Sequence, residues 1–225
     1  MTESPLDTSS PTACVQAALA SCPAGSGWLL AYSGGLDSSV LLHAASVVAR
    51  ERGIGLRALH INHQLSEHAR QWQKHCEQQC ALLGVECLSV AVEVANKGEG
   101  LEAAARTARY SVFSEQLREQ EQLLLAHHLD DQAETLLLRL MRGAGPAGLG
   151  AMQPTRVLAA GRLSRPLLSL ARANLEAYAT QHALSWVEDE SNASLNFDRN
   201  FLRHQIMPQL QQRWPGFAQR WQQSA

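Results

Sequence analysis

Short apolar runs alternate with longer amphipathic segments along the first two thirds of the chain. The runs cover 28–32, 56–61, 87–92 and 123–126, and the segments cover 38–51, 66–83, 101–120 and 129–142. Runs this short are typical of buried strands, whereas the longer segments are typical of helices. The alternation predicts an α/β fold, a doubly wound parallel sheet with helices on both faces. Ligands bind such sheets beyond the carboxyl ends of the strands.

The rest of the chain predicts a small, mostly helical extension. A glycine-rich stretch, 143–150, ends the last of these helices and opens a loop, which either brings a substrate close to the backbone or serves as a plain linker. A hairpin near 156–168 and helices over 171–182 and 198–213 follow. We divide the chain into a partly helical lead-in, 1–27, a main domain, 28–150, and an extension, 151–225.

Composition indicates a globular protein in a reducing compartment. Of the 225 residues, 45% are hydrophobic and 18% are charged, which are ordinary values for a folded domain. No apolar run approaches the roughly 18 residues of a membrane helix, and the polar N-terminal segment has no signal-peptide pattern. The five cysteines form no C-x-x-C pair, which favours reduced thiols. We therefore expect a cytoplasmic protein without a membrane segment.

The small net charge of −2 conceals an uneven distribution. Residues 1–138 carry nine basic and sixteen acidic side chains, whereas residues 139–225 carry ten basic side chains, all arginine, and five acidic ones. Arginine presents a planar fork of donors that suits phosphate better than lysine does. The second part is therefore suited to contact a nucleic acid, although a solvated surface with ordinary pairing explains the same charges.

A loop rich in glycine and serine follows the first strand directly. Its residues are Ser33, Gly34, Gly35, Leu36, Asp37, Ser38 and Ser39. Glycines let a ligand approach the backbone, and the helix that follows offers free N–H groups and a positive dipole end, so the loop suits a phosphate or pyrophosphate. The common phosphate loop has a lysine, whereas this one has an aspartate, which indicates that Mg²⁺ offsets the phosphate charge. The alternative is a strand–turn–helix corner that binds nothing.

Polar residues also mark the end of the second strand. His60, Asn62 and His63 occupy this position. Histidine and asparagine side chains there would hydrogen-bond an adenine, a ribose or a phosphate. The alternative is a polar loop without a ligand.

Two histidines and three carboxylates follow the fourth strand, where a helix begins. Asp130 and Glu134 are four residues apart and share a helix face, and Asp131 lies beside them. The carboxylates either hold Mg²⁺ or a substrate ammonium group, or they complement the helix dipole, which explains Asp130 and Asp131 better than Glu134. His127 and His128 make a poor zinc site, because no third and fourth ligands are spaced nearby.

Arginines on the predicted helix over 101–120 are a further candidate. Arg106 and Arg109 are three residues apart on one face. They would clamp phosphates of ATP or RNA. The alternative is a surface pair of Glu102 with Arg106, worth only about 0.3–0.5 kcal/mol.

These motifs together resemble the tRNA(Ile)-lysidine synthase family of the pyrophosphate-loop ATP pyrophosphatases. The first loop resembles the S-G-G-x-D-S loop of the superfamily, and the string from His127 to Thr135 resembles the family itself. The other matching strings are HINH at 60–63, EAAAR at 102–106, RGAG at 142–145, RPLL at 165–168 and EDESN at 188–192, with Arg199 and Asn200 after it. The resemblance covers about residues 28–215 and implies the adenine-nucleotide alpha-hydrolase-like fold.

The resemblance implies an ATP-dependent ligase that acts on RNA. ATP would adenylate the C2 oxygen of the wobble cytidine in the CAU anticodon of an isoleucine tRNA, and pyrophosphate would leave. The ε-amine of free lysine would then attack C2 and displace AMP, which gives lysidine. The expected partners are the tRNA, free lysine and, in a homodimer, a second copy of the chain.

The resemblance also implies roles for the candidate residues. The loop after the first strand would hold the pyrophosphate part of ATP, with Asp37 and Asp131 on Mg²⁺. Arg106 would offset the charge that develops during adenylation. Asp130, Asp131 and Glu134 would bind the lysine ammonium group or Mg²⁺. The further nucleotide contacts would be His60, Asn62 and His127.

Two rival functions use the same loop. A tRNA thiolase of the superfamily usually needs paired cysteines, whereas Cys76, Cys80 and Cys87 suit ordinary buried thiols. A nucleotide-binding module without transfer activity would not need so many carboxylates. Many members of the lysidine synthase family carry further domains that bind the tRNA acceptor region.

Overall fold

Six strands lie in the part of the chain that this computed structural model describes, which is residues 10–19, 26–64, 66–93, 101–145, 148–150 and 152–224. The strands are β1 Trp28–Ala31, β2 Leu56–Asn62, β3 Glu86–Ala91, β4 Gln122–Leu124, β5 Thr155–Leu158 and β6 Gly161–Ser164. They form one sheet in the order β3-β2-β1-β4-β6-β5. All neighbours are parallel except β5, which is antiparallel to β6. The predicted α/β fold with a parallel sheet is confirmed, and β5 adds an antiparallel strand at one edge that the predicted sheet did not include.

The predicted hairpin belongs to the main sheet. Its strands are β5 and β6, and β6 lies parallel to β4, with Gln122 opposite Arg162 and Leu124 opposite Ser164. The carboxyl ends of β1, β2, β4 and β6 therefore meet at one edge of the sheet. Sequence periodicity does not predict the pairing of β4 with β6, because a helix, a loop and β5 separate the two strands along the chain.

Helices follow the strands in the order that the periodicity predicts. Their bounds are α1 Pro11–Leu19, α2 Leu36–Arg52, α3 Ala69–Leu83, α4 Leu101–Gln116, α5 Leu129–Met141, α6 Arg172–Gln181, α7 Asp198–Phe201, α8 Met207–Arg213 and α9 Phe217–Ser224. A π-helical turn, Leu202–Ile206, joins α7 to α8. The predicted helix over 198–213 is thus present with a wider turn at its centre, and α9 is an additional short helix.

The helices cover both faces of the sheet, each with its own core. On one face, Val15 of α1, Leu41 of α2 and Leu175 of α6 belong to one buried cluster. On the other face, Phe113 of α4 packs with Leu29 and other strand residues. These buried apolar faces are the main stabilising contribution to such a fold. The helix predicted in the lead-in therefore packs into the core.

The C-terminal helices cover the helix that carries the carboxylates. Leu129 and Ala133 of α5 form a third buried cluster with Met207, Phe217 and Ala218. This packing holds α7, α8 and α9 against the start of α5. It brings arginines of the extension next to the carboxylates that follow β4.

The described cysteines are free thiols. Cys14, Cys76 and Cys80 are buried and Cys87 is half-buried, and Cys22 lies outside the described residues. Burial raises the pKa of the Cys76 thiol to about 12, which makes it a poor nucleophile and metal ligand. The expectation of ordinary buried thiols agrees with the environment of Cys76, whereas Cys87 is half-buried and its hydrogen bond with Cys80 lowers its pKa.

No helix in the described ranges is both long enough and apolar enough to cross a membrane.

Candidate active site

The glycine–serine loop leads from β1 into α2 and leaves the helix start open. Gly35 is the N-cap in extended conformation, and no side chain caps the helix there. Ser38 donates to the Gly35 carbonyl over 3.0 Å, and its oxygen lies 3.0 Å from that of Ser33. Backbone N–H groups at such a start attract anions. The loop therefore has the geometry that the sequence predicts for a phosphate cradle.

Gly34 is the one position in this loop where a side chain would not fit. Its φ is +85°, and a Cβ there would lie 2.8 Å from the Cys76 sulfur and 3.1 Å from a methyl carbon of Val187. The Val187 N–H also donates to the Gly34 carbonyl over 2.9 Å. The loop is thus clamped between α3 and the segment after α6, and glycine is required by conformation and by space.

The side chains of His60 and Asn62 make hydrogen bonds within the protein near the carboxyl ends of β1 and β2. His60 is buried, and its Nδ1 lies 3.0 Å from the Tyr32 carbonyl oxygen. Burial lowers the pKa of His60, so the imidazole is neutral. Asn62 donates to Gln73 and accepts from the N–H of Gln64. Both side chains support the loop region through contacts within the protein, so a nucleotide contact from either stays a prediction.

Three carboxylates surround the imidazole of His128, which is fully buried. Its Nε2 lies 3.6 Å from oxygens of both Asp37 and Asp131, and its Nδ1 lies 3.5 Å from Asp130. We call these four residues the acidic cluster. It joins the loop after β1 to the start of α5, as the meeting of strand ends predicts.

The acidic cluster keeps His128 protonated. Burial alone would lower the pKa of His128, but Asp130, Asp37 and Asp131 together raise it to about 10. In return, burial opposes ionisation of Asp130 and Asp131, but the charge of His128 helps to hold the pKa of both carboxyls below the ordinary value. One oxygen of Asp37 is buried and has no hydrogen-bond partner among the described residues. The three carboxylates are offset by His128, by Arg203 at Asp131 and by Arg172 at Asp37, and one oxygen of Asp37 remains an unused acceptor.

Two arginines of the C-terminal extension form ion pairs with the carboxylate of Glu134. This carboxylate is buried, and its oxygens accept from Arg199 over 2.9 Å and from Arg203 over 2.6 and 2.9 Å. Arg203 also donates to Asp131 over 3.0 Å. Burial would lower the pKa of Arg203, but Glu134 and Asp131 raise it. Glu134 therefore anchors these arginines beside the acidic cluster.

Arg106, Arg156 and Arg165 gather around Tyr110 on the other face of the sheet. The guanidinium carbons of Arg106 and Arg156 lie 5.0 and 5.3 Å from the centre of the tyrosine ring, within the range of a cation–π contact. Burial raises the pKa of Tyr110, but Arg106, Arg165 and Arg156 bring it below its ordinary value. We call the three arginines with Tyr110 the arginine cluster. Tyr110 packs on the core beneath α4, whereas Asp37 begins α2 on the opposite face.

His127 turns toward the arginine cluster. Its Nδ1 accepts a hydrogen bond from Nε of Arg165 over 3.2 Å. Burial lowers the pKa of His127 to about 4; Asp131 opposes this shift, and Arg165, Arg199 and Arg109 add to it. Two consecutive histidines at the end of β4 therefore face opposite surroundings, one neutral and one protonated.

The acidic cluster fits Mg²⁺ as a shared site. Within the described residues, no group of three histidine, cysteine or carboxylate side chains is arranged to hold a metal by itself. Mg²⁺ is commonly bound through one or two carboxylates together with substrate phosphates. The unpartnered oxygen of Asp37, beside an open helix start, agrees with that mode of binding.

Sequence reasoning missed three residues of this region. The sequence indicates His128 only as a weak zinc candidate, although it lies at the centre of the acidic cluster. The spacing of Arg199 and Arg203 assigns them no chemistry, although both pair with Glu134. A weak signal existed, because Glu134 is poorly explained by the helix dipole and a buried carboxylate requires a partner.

Comparison with known proteins agrees with this geometry. A family model described as a PP-loop domain matches residues 11–210. The chain is 55% identical to the tRNA(Ile)-lysidine synthase of Alkalilimnicola ehrlichii over 196 residues, which are 87% of this chain and 44% of that relative. It is 52% identical to the enzyme of the same name from Pseudomonas aeruginosa over 199 residues, covering 88% of this chain and 45% of that relative. The chain thus spans less than half the length of these curated relatives.

A solved structure shares the fold at low sequence identity. The U34-tRNA thiolase NcsA from Methanococcus maripaludis, solved with its [4Fe-4S] cluster, superposes with a TM-score of 0.74 at 15% identity and covers 95% of this chain and 76% of the thiolase. This similarity concerns the fold alone. The resemblance inferred from the motifs is confirmed by the family model and by the curated relatives, and the chain belongs to the PP-loop domain family.

Proposed function

We propose that the protein uses ATP to attach free lysine to C2 of the wobble cytidine in the CAU anticodon of an isoleucine tRNA. The observation that carries this proposal is the acidic cluster, in which Asp37 of the loop and Asp131 of α5 share the protonated His128. A phosphate cradle next to an anionic pocket suits a reaction that combines ATP with a cationic amine. The identity to proteins named tRNA(Ile)-lysidine synthase supports the same assignment.

The first step would be adenylation of the RNA base. The phosphates of ATP would lie at the start of α2, where backbone N–H groups and Ser33, Ser38 and Ser39 are available. The C2 oxygen of cytosine would attack the α-phosphorus, and pyrophosphate would leave. Arg106, to which the resemblance gives the developing negative charge, lies over Tyr110 on the opposite face of the sheet from this cradle, so we assign it no part in this step. When bound, Mg²⁺ would offset phosphate charge at Asp37 and Asp131.

The second step would be attack by lysine. Its ε-amine would displace AMP from C2, so the amine must lose a proton on the way. Asp130 and Asp37 are the partly exposed carboxylates of the acidic cluster, with side-chain exposures of 43% and 29%. Asp130 is the more exposed of the two, whereas Asp37 lies 3.9 Å from a guanidinium nitrogen of Arg172, and Glu134 pairs with Arg199 and Arg203. We therefore assign the lysine ammonium group to Asp130, leave Asp37 to Mg²⁺ and the phosphates, and give Glu134 a positioning role.

Sulfur transfer is the rival supported by the shared fold of the thiolase. Cys76, the thiol nearest the loop, is unsuited to sulfur transfer, because it lies beneath Gly34 and burial raises its pKa to about 12. Because the proposed substrates lysine, ATP and tRNA occur together in the cytoplasm, we assign the protein to the cytoplasm.

The test is a transfer assay with labelled lysine. The protein is incubated with ATP, Mg²⁺ and a transcript of isoleucine tRNA with a CAU anticodon, and AMP, pyrophosphate and labelled RNA are measured. A transcript with uridine at the wobble position is the matched control. We expect AMP release and label in the RNA only with cytidine at that position.

A positive control makes a negative result informative. The relative from Alkalilimnicola ehrlichii is assayed in parallel under the same conditions. If that protein labels the RNA and these 225 residues do not, the proposal for this chain is wrong as stated. ATP turnover that is independent of lysine but requires a sulfur donor would instead favour a thiolase activity.

A further inference from the structure

The arginine cluster contains more positive charge than its described neighbours balance. Arg106, Arg156 and Arg165 approach the same tyrosine, and among the side chains that the structure describes none of the three forms an ion pair with a carboxylate. The side chain of Glu102, the alternative partner of Arg106, lies outside the described residues. Like charges gathered in this way repel one another. Such an arrangement is stabilised when an anion binds between the arginines.

Arg165 makes the cluster a built site and not a chance grouping on the surface. This side chain is only 6% exposed. It donates to the Gln153 carbonyl over 2.6 Å and to Nδ1 of His127 over 3.2 Å, and both partners are neutral. A buried guanidinium held by neutral acceptors keeps its full charge, and burying it without a counter-ion is costly.

The alternation of strand residues directs Arg156 into the same site. Arg156 is opposite Leu163 in the β5–β6 pair, and Leu163 belongs to the core on the α4 face. Its neighbour in register, Val157, is opposite Arg162, so Arg162 lies on the other face of the hairpin. The hairpin thus places one exposed arginine in the cluster and one outside it.

We propose that the arginine cluster binds a backbone phosphate of the RNA strand whose base enters the active site. This inference rests on the proposed function for the identity of the RNA. Phosphate is the anion that best matches several arginine forks, and protein–RNA contacts use such groups beside an unstacked base. The phosphates of ATP have a separate cradle at the start of α2, on the opposite face of the sheet.

The test compares two arginines of one hairpin. Arg156→Ala removes a guanidinium from the cluster, and Arg162→Ala removes one from the opposite face. Binding of an RNA hairpin with the CAU anticodon loop is measured by fluorescence anisotropy across a range of salt concentrations, and ATP binding is measured in parallel. Arg156→Lys retains the charge but not the planar fork.

We expect Arg156→Ala to weaken RNA binding roughly tenfold and to reduce the slope of log affinity against log salt by about 0.7–0.9. Arg162→Ala should match the wild type, Arg156→Lys should restore the slope, and ATP affinity should stay unchanged in all variants. A loss of ATP affinity in Arg156→Ala would overturn the assignment to RNA and give the site to the nucleotide.

Two other results would also overturn the inference. Equal losses in Arg156→Ala and Arg162→Ala would mean diffuse charge without a site, and absence of RNA binding by the wild type would exclude an RNA phosphate. The lysine assay separates this failure from that of the proposed function. Label in the RNA with an unaffected Arg156→Ala variant would leave the function standing and remove the phosphate site.

Discussion

The acidic cluster and the arginine cluster lie at the same edge of the sheet and differ in almost every electrostatic property. The acidic cluster lies on the α2 face and gathers Asp37, Asp130 and Asp131 around His128. The arginine cluster lies on the α4 face and gathers three guanidinium groups around Tyr110, with Arg165 in contact with His127. Consecutive residues at the end of β4 therefore take part in opposite environments.

The two histidines show how strongly the surroundings determine the chemistry of one residue type. Burial lowers the pKa of both, yet His127 reaches about 4 and His128 about 10, because carboxylates face only the second closely. An extended backbone directs successive side chains to opposite sides. A strand end thus separates a site for cations from a site for anions within two residues.

The largest expected effect comes from removing the loop carboxylate of the acidic cluster. Asp37→Asn keeps the size of the side chain but removes its charge, so we expect AMP formation to fall at least about 100-fold. Glu51→Gln, an exposed carboxylate in the last turn of the same helix, is the control and should retain wild-type turnover. Near-normal AMP release by Asp37→Asn would exclude the role that we give this residue.

The second largest effect concerns Arg199 and Arg203, which pair with carboxylates beside and within the acidic cluster. Arg203→Ala leaves the buried Glu134 with Arg199 alone, and we expect a loss of about 2–4 kcal/mol in the free energy of unfolding. Urea unfolding measures it. Glu134→Gln, alone and combined with Arg203→Ala, completes a double-mutant cycle, and we expect the double variant to lose less than the sum of the two single losses. Strict additivity of the two substitutions would contradict the pairing.

The sequence predicted the positions of the chemistry better than the contacts between them. Periodicity gives the strands, and parallel sheets align their carboxyl ends, so the sequence predicts that the motifs share one edge of the sheet. The pairing of Asp37 with Asp131 follows only from the family resemblance. The pairing of Glu134 with Arg199 and Arg203 links residues 65 and 69 positions apart. That contact depends on how α7, α8 and α9 pack on α5, which no local pattern encodes. The sequence also could not tell which histidine faces Asp37, because neighbouring residues of an extended backbone point to opposite sides and a shift of one residue exchanges them.

A moderate effect is expected where the loop of the acidic cluster is clamped. Gly34→Ala would place a Cβ against Cys76, whereas Gly53→Ala has the same left-handed backbone, with φ +66°, and open space around it. Both substitutions strain the backbone. Only Gly34→Ala should also displace the phosphate cradle and weaken ATP binding, by roughly tenfold or more. Equal ATP affinity in the two variants, measured by calorimetry, would argue against the cradle.

The smallest effect concerns the pH dependence of stability on the arginine side. The folded pKa of His127 is lowered to about 4, so its contribution to stability is present above the unfolded value of about 6.5 and is lost as pH falls toward 4. His127→Asn retains an acceptor for Arg165 but does not titrate. In urea unfolding, we expect the free energy of unfolding of the wild type to fall relative to that of this variant as the pH is lowered from about 6.5 to about 4. A constant difference would show that His127 is not held neutral.

The division of the site between two adjacent histidines is tested most directly by NMR titration of ¹⁵N-labelled histidine side chains. His127→Asn and His128→Gln assign the two imidazoles. We predict that His128 keeps protons on both nitrogens until the pH approaches 10, and that His127 stays neutral, with its proton on Nε2, until the pH falls to about 4. Titration of both imidazoles together near the ordinary value of about 6.5 would contradict the account.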